Sequence, residues 1–332
     1  MTDTPTEPPA PRRDERVALP TRAPLHLEAT VRALQRRPSH PVERWDGARY
    51  RRALRTPDGL ALVEVDNAGS VDAPDVRCAI VHGPRSVRAR DAIVRTLRTR
   101  LGLDVDPAPL ERLTGAEPRL AELAAALRGM RPPRFDDLFE ACASVVPFQQ
   151  VSLAAGVTVL GRLVERFGEP LDREGERYWA FPRADDVARC DAGALRACGL
   201  SAQRAQTLWS LAQAIASKEL TAASLASCPS AEAAARLRQV KGIGPWSANL
   251  ILLRGLGRLD VFPPGDVGVA RGLGAIFADG SDADSASTEH AVARVVERFG
   301  DRRGYLYFYS LGADLLRRGL VHAASNEAAP TR

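Results

Sequence analysis

At about Pro107 the chain changes texture, and that change limits it to folds with two differently built halves. Upstream, residues 60–65 and 76–81 are short, β-branched runs bounded by turn residues, a pattern that predicts sheet. An arginine-rich stretch at 49–55 precedes them. Over 86–101, Ile93, Val94, Leu97 and Leu101 form an apolar helical stripe, with Arg88, Arg95 and Arg98 outside it on an ordinary solvated face. Downstream the strand signals fade into alanine- and leucine-rich helical patterns. Leu153, Val157, Leu160, Val164 and Phe167 recur at intervals of three and four, with Gly168 placed as a C-cap. Residues 185–197, 202–217 and 222–240 continue the series. The fold class predicted is α+β: a flexible arm over 1–23, a small N-terminal α/β domain of sheet plus helix over 24–115, an all-α domain over 116–322 and a short tail over 323–332.

Composition narrows the function classes. At 332 residues, 45% hydrophobic and 26% charged, the chain supports two ordinary cores without metal or disulfide staples. The formal net charge is +5, and Lys218 and Lys241 are the only lysines. Arginine pairs with phosphate through two parallel donors, so the bias suits nucleic acid, although a GC-rich genome produces the same bias. No apolar run spans a bilayer, and residues 1–20 lack the apolar centre of a signal peptide, which predicts a cytoplasmic protein without a membrane partner. Five cysteines and five histidines are scattered without metal-ligand spacing, so neither a metal nor another cofactor is expected.

The most informative stretch is Lys241-Gly242-Ile243-Gly244-Pro245-Trp246-Ser247-Ala248-Asn249-Leu250. A helical pattern meets Gly-Ile-Gly, and a second helix opens with proline in its first turn, where the missing N–H costs nothing. This predicts a helix-hairpin-helix whose glycines admit close approach of another surface and whose free amides hold a phosphate, with Ile243 as the buried pin. An inert pair of antiparallel helices is the alternative. Downstream, Val261-Phe262-Pro263-Pro264-Gly265-Asp266 is a rigid loop delivering a carboxylate to the start of a further helix. Taken alone, Asp266 also fits a plain N-cap.

The hairpin followed some twenty residues later by that loop and Asp266 resembles the helix-hairpin-helix DNA glycosylase superfamily. The branch that looks most similar is that of 3-methyladenine DNA glycosylase II. Arg131-Pro132-Pro133-Arg134-Phe135, Pro147-Phe148-Gln149-Gln150-Val151-Ser152 and Arg44-Trp45-Asp46-Gly47 agree with it, so the resemblance covers about 24–321. It implies a base-excision-repair enzyme that flips a damaged nucleotide out of duplex DNA and releases alkylated purines of the 3-methyladenine or 7-methylguanine type, leaving an abasic site. Asp266 would stabilise the sugar cation or orient water. Trp246, otherwise a core anchor, would offer its face to a cationic base. Phe148, Leu250, Val267, Arg302 and Tyr305 complete the implied pocket, in which relatives often carry Tyr at the positions of Leu250 and Val267 and Trp near Arg302. Lys241, Gly242, Ile243, Gly244 and Ser247 would bind DNA. Gln149 and Gln150, placed at the start of the helix at 153–167, would fill the gap left by the flipped base or simply be polar helix-terminal residues. The expected partner is double-stranded DNA containing damaged bases, met by a monomer.

Two rivals remain at this level. In members of the resembled superfamily that also nick the strand through a Schiff base, the lysine sits two residues after the second hairpin glycine, where this chain has Trp246. A non-catalytic lesion-binding protein would share the hairpin and the charge, but gains nothing from a carboxylate aimed at a polyanion.

Overall fold

The computed structural model describes residues 16–277 and 285–325. The first half is built from β1 (Val17–Ala18), α1 (Leu27–Gln35), β2 (Arg44–Trp45), β3 (Tyr50–Thr56), β4 (Gly59–Asn67), β5 (Val76–His82) and α2 (Val87–Arg100). The strands form one antiparallel sheet in the order β1-β5-β4-β3-β2. The arginine-rich stretch is β3, joined to β4 by a two-residue turn that leaves Thr56 opposite Gly59. Ser86 caps α2 by accepting the Ala89 N–H at 3.0 Å. Ile93 and Leu97 are buried in one core with Val31 and Leu34 of α1 and Leu54, Val63 and Val65 of the sheet. Residues 16–23, expected in the flexible arm, are instead fixed to the sheet edge. Val17 pairs with Cys78, and Arg16 bonds the Asp66 carboxylate. The rest of the expected arm, residues 1–15, and residues 326–332 of the tail lie outside the described residues.

The second half runs through α3 (Ala108–Gly115), α4 (Ala121–Ala126), α5 (Leu138–Ala143), α6 (Leu153–Phe167), β6 (Glu169–Arg173), β7 (Glu176–Ala180), α7 (Ala184–Ala188), α8 (Ala192–Ala197), α9 (Ala202–Ala216), α10 (Ala222–Ala226), α11 (Ser230–Arg238), α12 (Pro245–Ile251), α13 (Val267–Phe277), α14 (Ser285–Arg298) and α15 (Gly304–Arg317). A π-helical turn, Leu252–Leu256, extends α12 and closes on Gly257 at φ 71°. The helix expected over 153–167 is α6. Gly168 does follow it, but with an extended backbone, and a Cβ there would press on the carbonyls of Val164 and Ala180. Two expected helices are each broken in two: Asp191 caps α8 after α7 has ended, and Pro229 separates α10 from α11.

The half expected to be all-α also carries the antiparallel hairpin β6–β7. Its Leu171, Tyr178 and Ala180 pack on Ala53 and Leu62, on the sheet face opposite the helices. Strand β4 is thereby buried on both sides, which is why 60–65 reads as a nearly continuous apolar run rather than an alternation.

A second seam between the halves is ionic. Arg52 of β3 and Arg100 of α2 are fully buried and face Glu43 on one side and Asp136 and Glu140, around the start of α5, on the other. Each guanidinium reaches a Glu140 oxygen at 2.9 Å, and Arg100 Nε donates to the Tyr50 hydroxyl at 3.0 Å. Burial by itself would raise the Glu43 carboxyl, but Arg100 and then Arg52 more than offset it and hold Glu43 down at about 2. Beside this cluster, burial lowers His40 to about 4 and keeps its Nδ1 free to accept the N–H groups of Val42 and Glu43. Arg254 of the π-helical turn donates to the Ala33 carbonyl at 3.2 Å and lies 4.8 Å from the Phe135 ring centroid. This contact docks the C-terminal end of α1 on the helical half. No helix among the described residues is long and apolar enough to cross a membrane.

Candidate active site

The turn between α11 and α12 is held by two glycines with different tasks. Gly242 has φ +94°, and a Cβ on it would lie 2.0 Å from Thr207 Oγ1 of α9. That hydroxyl meets the Lys241 carbonyl at 2.9 Å, so the turn sits directly on α9. Gly244 has nothing within 4 Å of the corresponding position: its open face is turned outward. Ile243 is buried between them, as a hairpin pin requires, and Lys241 is exposed.

The loop after α12 is tied back by Asn249, whose Nδ2 donates to the Phe262 carbonyl at 3.1 Å. Gly265, at φ +70°, then turns the chain into Asp266. The two carboxylate oxygens of Asp266 are used differently. Oδ1 accepts the Val269 N–H at 3.0 Å, which makes Asp266 the cap of α13. Oδ2 accepts the indole N–H of Trp246 at 2.8 Å. Capping and a place in the site therefore coexist in one side chain.

Trp246 and Asp266 line a cleft of about 1210 Å³, together with Phe148, Leu250, Val267 and the open Gly244. Leu250 is buried, whereas Val267 is 70% exposed at the mouth. Phe148 is seated against Gly156 of α6, where a Cβ would come within 2.3 Å of its ring. The aromatic faces in the cleft lining are those of Trp246 and Phe148.

Two expected site residues, Tyr305 and Arg302, are placed outside the cleft lining. Tyr305 is buried on α15 and lines a separate cavity of about 400 Å³ with Met130, Arg131 and Tyr309, because α15 turns that edge toward α3 and α4. Arg302 is exposed in the short 3₁₀ turn before α15 and does not line the cleft. Gln149 and Ser247 were expected to face DNA. Both line the cleft, where Gln149 Nε2 donates to Ser247 Oγ at 2.8 Å and to the Gly242 carbonyl at 2.9 Å, and Ser247 is buried. Gln149 therefore latches the segment before α6 onto the hairpin. Gln150 is exposed and lines the cleft, but at φ 53° it lies in a turn ahead of α6, whose cap is Ser152. Sequence reasoning missed Arg36, just after α1, and Ser201, Gln203 and Arg204 at the start of α9, all of which line the cleft. The Ser201 cap ahead of α9 was a readable signal for a helix start; Arg36 carried none.

Comparison with known proteins agrees with this geometry. Residues 143–298 match the family described as HhH-GPD superfamily base excision DNA repair protein, and residues 16–137 match the AlkA N-terminal domain. The probable bifunctional transcriptional activator/DNA repair enzyme AlkA of Mycobacterium tuberculosis is 35% identical over 255 residues, covering 76% of this chain and 49% of that protein. DNA-3-methyladenine glycosylase 2 of Escherichia coli is 36% identical over 147 residues, 44% of this chain and 51% of that protein. The chain spans about half the length of these curated relatives. Among solved structures, a 3-methyladenine DNA glycosylase from Archaeoglobus fulgidus superposes with a TM-score of 0.72 at 25% identity, covering 91% of this chain and 98% of that one. With its two halves matched in order and the hairpin, loop and Asp266 assembled on one cleft, the chain belongs to the HhH-GPD superfamily of base excision DNA repair proteins, in the branch that carries an AlkA N-terminal domain.

Proposed function

We propose that this protein is a monofunctional DNA glycosylase that flips a damaged nucleotide out of duplex DNA and hydrolyses its N-glycosidic bond, releasing alkylated purines of the 3-methyladenine and 7-methylguanine type and leaving an abasic site. The observation that carries the reading is the Trp246–Asp266 hydrogen bond of 2.8 Å at the edge of the cleft, beside the outward face of Gly244. Relatives bearing the name DNA-3-methyladenine glycosylase support the substrate class. It acts as a monomer in the cytoplasm, on DNA, and needs no cofactor.

A base inside the stack is out of reach of any side chain, so the reaction begins with extrusion, which costs a few kcal/mol and least for a poorly paired base. The open Gly244 face and the exposed Lys241 hold the phosphate backbone, and Gln150 stands where the vacated stack is filled. The purine enters against the Trp246 indole, whose electron-rich face favours a cationic ring. As the bond to the sugar lengthens, positive charge grows on the deoxyribose, and the Asp266 carboxylate stabilises it or orients the attacking water. The two hydrogen bonds from Val269 and Trp246 fix the carboxylate without neutralising it. Strand cleavage through a Schiff base is disfavoured because an indole has no amine to offer at position 246.

The test is single-turnover base release from duplexes carrying one lesion each, with alkali used afterwards to reveal abasic sites. Asp266→Asn keeps the shape and the cap but removes the charge, so excision falls by about 100-fold or more while damaged-duplex affinity is kept or rises. Borohydride traps no covalent adduct. Near-normal excision by folded Asp266→Asn protein rejects the mechanism, and an adduct that disappears in Lys241→Ala restores the lyase alternative.

A further inference from the structure

Arg36 is the one cleft-lining residue contributed by the N-terminal half, and three features meet in it. Its backbone, at φ 56° and ψ −33°, lies outside the left-handed helical well that residues ending a helix commonly use. Four non-glycine residues among those described have positive φ; Glu174 sits in the β6–β7 turn and Lys218 follows α9, whereas Arg36 and Gln150 both border this cleft. Strain of this kind is kept where surrounding structure over-determines a position, commonly at a ligand clamp. Secondly, Arg36 makes no ion pair and no side-chain hydrogen bond among the described residues, a state it shares with Arg37 beside it, which does not line the cleft. The buried Arg52 and Arg100, by contrast, are each met by carboxylates. Thirdly, its guanidinium carbon lies 5.2 Å from the centroid of the Phe148 ring, which Gly156 holds in place, so the planar fork is oriented rather than loose.

We infer that Arg36 is a specificity-determining residue that favours a neutral, keto-bearing purine in this cleft and penalises a cationic one. The inference rests on the reading that the cleft receives a flipped base. A guanidinium fork matches the O6 and N7 acceptors of a keto purine with two parallel hydrogen bonds. Alkylation at N7 removes one of those acceptors and places a positive charge beside an unpaired cation, so 7-methylguanine loses on both counts. Hypoxanthine, the product of adenine deamination, keeps both acceptors and is neutral. It also stands opposite thymine in a mispair that opens easily, whereas guanine, with the same edge, is held by cytosine. Arg36 thus opposes the preference of the Trp246 face for cations and shifts the cleft toward deaminated purines.

The probes are three duplexes identical except for one nucleotide: hypoxanthine, 7-methylguanine or undamaged guanine, each on a 2′-fluoro sugar that resists cleavage. Binding is measured for the wild type, Arg36→Gly, which suits the positive φ, and Arg36→Lys, which keeps the charge but not the fork. Excision of the same bases on ordinary sugars is followed in parallel. The ratio of hypoxanthine to 7-methylguanine affinity falls about tenfold in Arg36→Gly. Arg36→Lys loses the gain for hypoxanthine yet still disfavours 7-methylguanine. An unchanged ratio in both variants overturns the proposal. So does an equal weakening of all three duplexes, which would make Arg36 a phosphate contact. If the ratio shifts but the wild type releases neither base, the assignment to Arg36 stands and the glycosylase reading falls.

Discussion

Two clusters of charge in this molecule, one buried between the halves and one partly exposed in the cleft, are built on opposite plans. In the seam around Arg52 and Arg100, the two guanidiniums, Glu43 and Glu140 are buried, and each charge is met by opposite charge. In the cleft, Asp266 meets only neutral donors, Val269 N–H and the Trp246 indole, and Arg36 meets a ring face and no anion. The seam is richer in charge, yet it is in the cleft that charge is left both unneutralised and within reach of solvent. Charge satisfied internally acts as a structural joint; charge held in position, unpaired and accessible is open to a ligand.

The contrast is broken most directly from the seam side. Arg100→Met leaves Glu43, Asp136 and Glu140 facing a single guanidinium, so unfolding free energy falls by about 3–5 kcal/mol in a denaturant titration, while excision per folded molecule is little changed. A loss below about 1 kcal/mol would mean that the seam is not a joint. Asp266→Asn gives the mirror result. The excision loss described above comes with a stability cost of about 1 kcal/mol or less, because Asn still caps α13. The hairpin glycines sharpen the contrast on a smaller scale. Gly244→Val, with free space around it, weakens binding to any duplex by about tenfold and leaves the melt unchanged. Gly242→Ala has nowhere to go against Thr207, and lowers stability by about 2 kcal/mol. Equal melts for the two variants would contradict the division of labour between these glycines.

The smallest effect concerns His40 at the border of the seam. Burial lowers its folded pKa to about 4 from an ordinary value near 6.5, so its contribution is present above pH 6.5 and is lost as pH falls toward 4. Asp137, the cap of α5, is raised to about 6 by desolvation and by the neighbouring Glu140 and Asp136 carboxylates, and works in the other direction over the same window. The wild-type profile mixes the two. His40→Asn, whose amide oxygen can still accept the Val42 and Glu43 N–H groups, removes the histidine part. The stability lost between pH 7 and pH 5 therefore shrinks by about 1 kcal/mol relative to wild type. Parallel profiles for the two proteins would assign the acid sensitivity elsewhere.

What could be read from the sequence was what is local. The hairpin, its buried Ile243, the helix at 153–167 and the delivery of Asp266 to a helix start are each written in contiguous residues, and each occurs where expected. What depends on tertiary pairing was invisible or misplaced. Arg52 and Arg100 look like surface residues until carboxylates from two other segments arrive. Tyr305 was assigned to the cleft by analogy. Because α15 is buried along most of its length, its apolar pattern gives no clue to which neighbour each ring faces. The β6–β7 hairpin was missed because β6 offers little apolar content, although Glu174-Gly175, both at positive φ, is a tight-turn signal in its own right.

The bond between Trp246 and Asp266 has a consequence for how this protein can change over evolutionary time. If the indole presents its face to the base and its N–H to the carboxylate, selectivity and rate share one side chain. A substitution that reshapes the face also frees an oxygen of the group that drives the reaction. Drift in the lesions accepted is therefore channelled to neighbours that touch the cleft without touching the carboxylate: Leu250 on its floor, Val267 at its mouth and Arg36 from the other half of the chain. A laboratory search for altered selectivity would find its permissive positions there, with Trp246 nearly fixed.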